Sequence, residues 1–129
     1  ETLVDEIYPK AKFYGAQHGS ELEQLFQGAD LFILPGTGGL AVQQAMSHAL
    51  PVIVGVADGT QSDLVRPQNG WMLENCSTEE LSQKLAAALN DLPKLRSMGI
   101  SSYEIVSRDV NLENMVAVFA DAVNSVLEK

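Results

Sequence analysis

The stretch "LFILPGTGGLAVQQAMSHALPVIV", from Leu31 to Val54, decides the fold. It opens with an apolar run that Pro35 ends, and it closes with a second apolar run that begins after Pro51. Continuous apolar runs without alternation are typical of parallel strands buried on both faces. Between the runs, apolar residues recur at mostly helical spacing, namely Leu40, Val42, Ala45, Met46 and Ala49. The stretch therefore predicts strand, glycine-rich turn, helix and strand, the repeating unit of a parallel α/β sheet.

The turn inside this stretch has two interpretations. Gly36, Gly38 and Gly39 leave backbone amides bare, and the helix that follows adds free N–H groups, so an anion or a sugar hydroxyl can approach. A tight strand-to-helix corner would need only one or two glycines. The turn is not a phosphate loop, because no Gly-Lys-Ser/Thr follows. It is not a dinucleotide fingerprint either, because the glycine spacing differs.

Upstream of the stretch, "AKFYGA" (residues 11–16) is a short apolar and aromatic run that predicts a further strand. "SELEQLFQGAD" predicts a helix with Ser20 as its N-cap, Glu23 in the capping-box position and Gly28 at its end.

Downstream, "DGTQSDLV" predicts a brief helix or bend, and "WMLE" predicts a short final strand. "STEELSQKLAAALNDL" predicts a helix capped by Ser77, with Glu80 in the capping-box position. Residues 93–107 predict another helix that begins at Pro93, and a long terminal helix follows Asn111 as its cap.

The predicted fold is an α/β, Rossmann-like parallel sheet with flanking helices. Its four predicted strands are fewer than the about five or six of a complete doubly wound domain. The opening "ETLVDEIYPK" resembles the tail of a helix. We therefore expect residues 1–129 to be one partial domain whose first strands are missing.

Composition excludes several classes of function. The formal net charge of −9 repels phosphate backbones, so we expect no nucleic-acid partner. The only cysteine, Cys76, allows no internal disulfide, and His18 and His48 have no third ligand at metal-site spacing, so we expect no metal. No signal peptide or membrane-spanning segment is visible, which favours the cytoplasm.

The order of these motifs resembles the C-terminal, donor-binding domain of retaining glycosyltransferases with the GT-B fold, called group 1 or family 4. The resemblance runs from about Ala11 to the end of the chain. "NGWML" is similar to the family's asparagine-glycine-apolar signature. "DGTQSDLV" is similar to its Gly-Gly-x-Pro-Glu-apolar-Val segment, with Gly59 at the first glycine and Asp63 where glutamate is usual.

The resemblance implies a binding site for a nucleoside diphosphate sugar, which is the donor substrate, and no cofactor. The backbone after the first strand would contact the base, and the glycine turn would offer amides to the donor sugar and diphosphate. The residues that the resemblance assigns to donor binding are Gly15, Ala16, Gly36, Thr37, Gly38, Gly39, Leu40 and Gln44.

Two departures from the family pattern concern acidic residues. Two glutamates, eight positions apart, usually frame the turn, and here Gly36 and Gln44 stand in their places. Gln44 keeps hydrogen-bonding capacity toward a ribose hydroxyl, whereas Gly36 keeps only its backbone. Thr37 either supplies a hydroxyl to the donor or serves as a turn or N-cap residue. No catalytic residue can be assigned.

The leading hypothesis is a hexosyltransferase-type glycosyltransferase that works with an N-terminal domain of the same protein, toward which the terminal helix (residues 109–129) would face. The alternative is a non-catalytic, glycosyltransferase-like binding or assembly module, which the two missing glutamates favour. A sugar-nucleotide epimerase of similar fold would require acidic and histidine residues near the turn, and the turn has none.

Overall fold

The sheet is parallel and has three strands in the order β1-β2-β3. The computed structural model describes residues 6–56 and 59–127. The strands are β1 (Phe32–Leu34), β2 (Val52–Gly55) and β3 (Gly70–Leu73). In the register of the sheet, Ile33 pairs with Ile53, which pairs in turn with Trp71.

Among the described residues, helices precede the sheet, lie in the connections between its strands and follow it. Their bounds are α1 Gly19–Gln27, α2 Gly39–Ser47, α3 Thr60–Leu64, α4 Thr78–Leu89, α5 Leu92–Arg108 and α6 Leu112–Leu127. Helix α2 connects β1 to β2, and α3 lies in the connection from β2 to β3. The predicted helix tail at the start falls mainly on residues 1–5, outside the described residues; Glu6 and Ile7 after it are helical.

The core lies around β2 and α2. Val52, Ile53 and Val54 are fully buried, which confirms β2 as a strand covered on both faces. Val42, Ala45 and Met46 of α2 are also fully buried and belong to the core cluster that packs against β2. Helix α5 lies close against the turn that follows α2, because a side-chain carbon on Gly99 would lie 2.1 Å from the Ala49 carbonyl oxygen.

Strand β1 is more exposed than its sequence predicts. The apolar run predicts burial on both faces, yet Ile33 is 37% exposed and its two neighbours are only half-buried. The prediction is wrong because β1 is an edge strand of the described sheet, paired with β2 on one side.

The predicted strand at residues 11–16 is absent from the structure, where this segment is irregular. Phe13 and Tyr14 are about half exposed, and Gly15 has a left-handed φ of 66°. A strand needs a neighbour to satisfy its backbone, and the three described strands pair only with one another.

Helix ends follow the predicted capping residues in most cases. Ser77 Oγ accepts from the Glu80 amide at 3.1 Å, and Asn111 Oδ1 accepts from the Asn114 amide at 2.8 Å. Gly28 caps the C-terminus of α1, as predicted. Helix α5 begins one residue before Pro93 and is capped by Asp91, whose carboxylate accepts from the Lys94 amide at 3.0 Å.

Ser20 does not cap α1, so that prediction is wrong. His18 occupies the N-cap position without a side-chain hydrogen bond, and Gly19 begins the helix with a left-handed φ of 57°. The helix begins two residues earlier than expected, which places Ser20 inside the first helical turn.

The amino end of the sheet is held by a buried amide side chain. Asn69, fully buried, donates from Nδ2 to the Leu64 carbonyl at 3.2 Å and to Ser102 Oγ at 3.3 Å. Its Oδ1 accepts from the Arg66 amide at 2.7 Å. Arg66 also forms an ion pair with Asp109 at 2.7 Å. These bonds tie the loop before β3 to helix α5.

Helix α6 differs from the other helices, because every one of its described side chains is exposed. Its large apolar side chains include Leu112, Met115, Phe119 and Val126, each at least 63% exposed. Among the described helices, none is both long and apolar enough to cross a membrane.

Candidate functional site

The glycine turn lies at the carboxyl end of the sheet, between β1 and α2. This is the edge where open parallel sheets bind their ligands. Gly38 is the N-cap of α2 and has a φ of 155°, a conformation that favours glycine. Val42 donates the first helical hydrogen bond to the Gly38 carbonyl at 3.1 Å, so the amides of Gly39, Leu40 and Ala41 have no acceptor within the helix. The turn therefore presents a set of bare amides at the positive end of a helix dipole.

The start of helix α3 borders one side of the turn. A side-chain carbon on Gly39 would lie 3.1 Å from Thr60 Oγ1 and 3.5 Å from Thr60 Cβ. Thr60 Oγ1 also donates to Gln61 Oε1 at 3.3 Å, and Gln61 is fully buried. A larger residue at position 39 would therefore press on an anchored part of the fold.

The loop after β3 borders the other side of the turn. A side-chain carbon on Gly55, the last residue of β2, would lie 2.9 Å from Cys76 Sγ and 3.1 Å from Gly36 N. The loops after β1 and β3 thus meet over the end of β2. Cys76 itself is exposed and has a left-handed φ of 49°.

The structure brings together only part of the predicted donor-binding set. Gly36, Thr37, Gly38, Gly39 and Leu40 form one continuous turn and helix start. Gln44 lies one helical turn beyond Leu40, and both side chains are exposed and line a groove of about 460 Å³ together with Tyr103 of α5.

Gly15 and Ala16 lie apart from this cluster. Both are exposed, and a side-chain carbon on Gly15 would have no neighbour within 4 Å. The space that a side chain at Gly15 would take is therefore open.

Three residues around the turn were missed by the sequence reasoning, namely Gly55, Thr60 and Cys76. They come from the end of β2, the start of α3 and the loop after β3, so no local motif marks them. The available signal was topological, because the carboxyl ends of parallel strands meet at one edge.

The chemistry of the turn is that of a neutral hydrogen-bonding site. It offers backbone amides, the hydroxyl of Thr37 and the amide of Gln44, with no carboxylate or basic side chain between positions 35 and 44. Such an arrangement can bind an anion or hydroxyl groups, but it supplies no general acid or base. Within residues 6–56 and 59–127, no group of three histidine, cysteine or acidic side chains could hold a metal ion.

The carboxyl group of Glu80, in the first turn of helix α4, has a lowered pKa. Glu80 accepts hydrogen bonds from the amides of Glu74 at 2.8 Å and Asn75 at 3.0 Å, and these bonds lower the pKa of Glu80. The carboxylate therefore reaches past Ser77 and fixes the loop that carries Cys76, instead of closing the predicted capping box on Ser77.

The known proteins that this chain resembles indicate one family. The family model described as "Glycosyl transferases group 1" matches residues 5–104. Sulfoquinovosyl transferase SQD2 of Arabidopsis thaliana is 31% identical over 100 residues, which are 73% of this chain and 20% of that protein. A GDP-mannose-dependent monoacylated alpha-(1-6)-phosphatidylinositol monomannoside mannosyltransferase of Corynebacterium glutamicum is 26% identical over 123 residues, 88% of this chain and 32% of that protein.

The fold also matches a solved structure. Sucrose-phosphate synthase from Thermosynechococcus elongatus is similar with a TM-score of 0.80 and 20% identity, over 98% of this chain and 33% of that one. This likeness confirms the predicted Rossmann-like domain of the GT-B fold. The chain spans 20% and 32% of the lengths of the two curated relatives it matches.

Proposed function

The chain belongs to the glycosyl transferases group 1 family, and we propose that it forms the donor-binding domain of a retaining glycosyltransferase. The reaction moves a sugar from a nucleoside diphosphate sugar to an acceptor. The observation that carries the proposal is the glycine turn, whose bare amides stand at the amino end of α2 and at the ligand-binding edge of a parallel sheet.

The chemistry that this turn contributes is charge stabilisation. The leaving group is a diphosphate, so the protein's main task is to place the donor and to neutralise the charge that develops. In our proposal the amides of Gly39 and Leu40 point to the diphosphate and sugar, Gln44 bonds to a ribose hydroxyl, and the backbone at Gly15 and Ala16 contacts the base. The donor is the co-substrate, and no cofactor is required.

A second candidate function follows from the two missing acidic residues. With Gly36 and Gln44 at these positions, the domain lacks the two carboxylates that the family resemblance assigns to donor contacts. A non-catalytic binding or assembly module would tolerate this loss. The two candidates differ in one measurable property, because only the first requires a nucleotide sugar to bind.

Titration calorimetry of the full-length protein with UDP-glucose and GDP-mannose tests the donor site. We expect one of them to bind the wild-type protein and Gly39→Val to weaken that binding at least about tenfold, because the valine side chain presses on Thr60 and occupies the space of the donor. Gly28→Ala is the matched control, since its new carbon makes only ordinary contacts of 3.5 Å or more. Failure of both sugars to bind the wild-type protein would favour the non-catalytic module.

Variants that restore the two acidic residues distinguish an enzyme with weakened catalysis from a protein without catalysis. A side chain at Gly36 meets nothing within 4 Å, and Gln44 is exposed, so Gly36→Glu and Gln44→Glu fit the fold. We expect the double variant to bind the donor more tightly and to turn over faster than the wild type. Equal behaviour of the two proteins would contradict a donor role for these positions.

We also propose that helix α6 packs against an N-terminal domain of the same protein. The support is its apolar face, on which Leu112, Met115 and Phe119 are 63–72% exposed in this structure. Hydrogen exchange on the full-length protein tests the proposal. Slow exchange of residues 112–127 is expected, and exchange as fast as that of an isolated helix would contradict it.

A further inference from the structure

Gly55 ends the central strand at the point where two loops meet. A side-chain carbon there would lie 2.9 Å from Cys76 Sγ, 3.1 Å from Gly36 N and 3.1 Å from the Pro35 carbonyl carbon. Non-bonded carbon contacts are optimal at about 3.5–4.0 Å, so all three atoms occupy space that a side chain would need. The backbone of Pro35–Gly36 and the thiol of Cys76 therefore pack directly against the end of β2.

The backbone conformation does not explain the glycine at this position. Gly55 is a residue of strand β2 and pairs with Leu73, a conformation that any residue adopts. Glycine weakens a strand, and it often marks a place where another backbone approaches closely. Here the approaching backbone is Pro35–Gly36, the first part of the glycine turn.

We propose that Gly55 is a positioning residue for the donor-binding turn: its bare Cα lets Pro35–Gly36 rest on the end of β2 and so fixes the place of the turn's amides. This inference rests on the proposed function, because it concerns how the same turn is held. The Pro35–Gly36 contact involves backbone atoms, which cannot rotate away from a new side chain. The thiol of Cys76 lies beside the same position, so Gly55 is flanked by Pro35, Gly36 and Cys76.

The direct consequence concerns alanine at position 55. The methyl group would move Pro35 and Gly36 by a few tenths of an ångström, and binding constellations tolerate displacements of only about 0.5 Å. The fold should survive, because the core residues of β2 lie one or more positions earlier in the strand. The effect should therefore appear in ligand binding and in the environment of the turn.

The test compares four variants of the full-length protein: Gly55→Ala, Gly55→Ala/Cys76→Gly, Met98→Ala and Gly28→Ala. Three quantities are measured: the Kd for UDP-glucose and GDP-mannose, the thermal unfolding midpoint, and the ligand-free amide resonances of Gly36 and Thr37. Met98 is a buried residue of α5, a helix that does not include the turn, so its truncation serves as a control for lost stability.

We expect Gly55→Ala to weaken binding of the preferred sugar roughly tenfold and to shift both amide resonances. The double variant should recover part of this loss in affinity, because removing the Cys76 thiol leaves space beside the new methyl group. It also provides a folded protein for the test if Gly55→Ala alone prevents folding. Met98→Ala should lower the unfolding midpoint and leave Kd unchanged, and Gly28→Ala should change neither quantity.

Unchanged resonances of Gly36 and Thr37 in Gly55→Ala would overturn the proposal. Equal weakening of binding by Met98→Ala would also overturn it, because stability alone would then explain the effect. If the wild type binds neither sugar, the donor function fails, and the ligand-free resonances still decide whether Gly55 positions the turn.

Discussion

The two ends of the sheet are built in different ways. At the amino end, the buried side chain of Asn69 makes three hydrogen bonds, two with backbone groups before β3 (the Leu64 carbonyl and the Arg66 amide) and one with Ser102 Oγ of helix α5. At the carboxyl end, neighbouring segments pack closely against two glycines, with Thr60 Oγ1 beside Gly39 and the Pro35–Gly36 backbone beside Gly55.

The two ends differ in what their contacts provide: those at the amino end stabilise the fold, and those at the carboxyl end leave backbone groups accessible to a ligand. Side-chain networks fix a loop and cover its backbone, whereas glycine contacts leave backbone amides bare for a ligand. We infer that substitutions at the amino end act mainly on the free energy of unfolding and substitutions at the carboxyl end act mainly on donor binding. Two substitutions, Asn69→Leu and Gly38→Ala, test this separation, and a third, Glu80→Gln, tests a side-chain contact at the carboxyl end.

The largest effect on stability is expected for Asn69→Leu. The leucine makes none of the three hydrogen bonds and leaves buried polar partners behind, so the free energy of unfolding should fall by about 3 kcal/mol. Urea unfolding measures this loss, and the donor Kd should stay unchanged. Gln68→Leu, on the exposed neighbour in the same loop, is the control. A large change in Kd with Asn69→Leu would break the proposed separation of the two ends.

Gly38→Ala should have a smaller effect on stability and a larger one on binding. Its φ of 155° is unfavourable for alanine, and the new methyl group would lie 2.8 Å from Leu34 Cδ2. Backbone strain of this kind costs about 1–3 kcal/mol, and we expect the low end because the Leu34 side chain can move. Calorimetry should show a clear loss of donor affinity. Stability loss without any loss of affinity would contradict a donor role for the turn.

The smallest effect is expected for Glu80→Gln, a side-chain substitution at the carboxyl end. The folded-state pKa of Glu80 is lowered by the amides of Glu74 and Asn75. Its stabilising contribution is therefore complete above the ordinary glutamate pKa of about 4.3 and is lost as the pH falls through the lowered folded-state value.

Unfolding curves between neutral and acid pH check this prediction. The wild type should be slightly more stable than Glu80→Gln at neutral pH, and the difference should disappear in acid. A difference that grows as the pH falls would show that the carboxylate does not stabilise the loop.

Much of the fold could be predicted from local sequence. The burial of β2 and the caps at Ser77 and Asn111 depend on neighbours in the chain, and the structure confirms them. The wrong predictions concern the strand at residues 11–16 and the full burial of β1. Both failed because strand pairing and burial depend on what lies beside a segment in space.

The candidate site was only partly predictable for the same reason. The glycine turn is a local motif, so Gly36, Gly38 and Gly39 were visible in the sequence. The contacts that hold the turn come from Gly55, Thr60 and Cys76, which are separated from it along the chain. Asn69 was likewise invisible as a structural residue, because its partner Ser102 is 33 positions away.

The position of Cys76 makes its thiol a suitable site for a fluorescent probe of the turn. It is the only cysteine of this sequence, it is exposed, and its sulfur and the Gly36 nitrogen lie within 3.1 Å of the same point beside Gly55. A small fluorescent label on this thiol would sit at the rim of the turn. Its emission would follow occupation of the turn in real time.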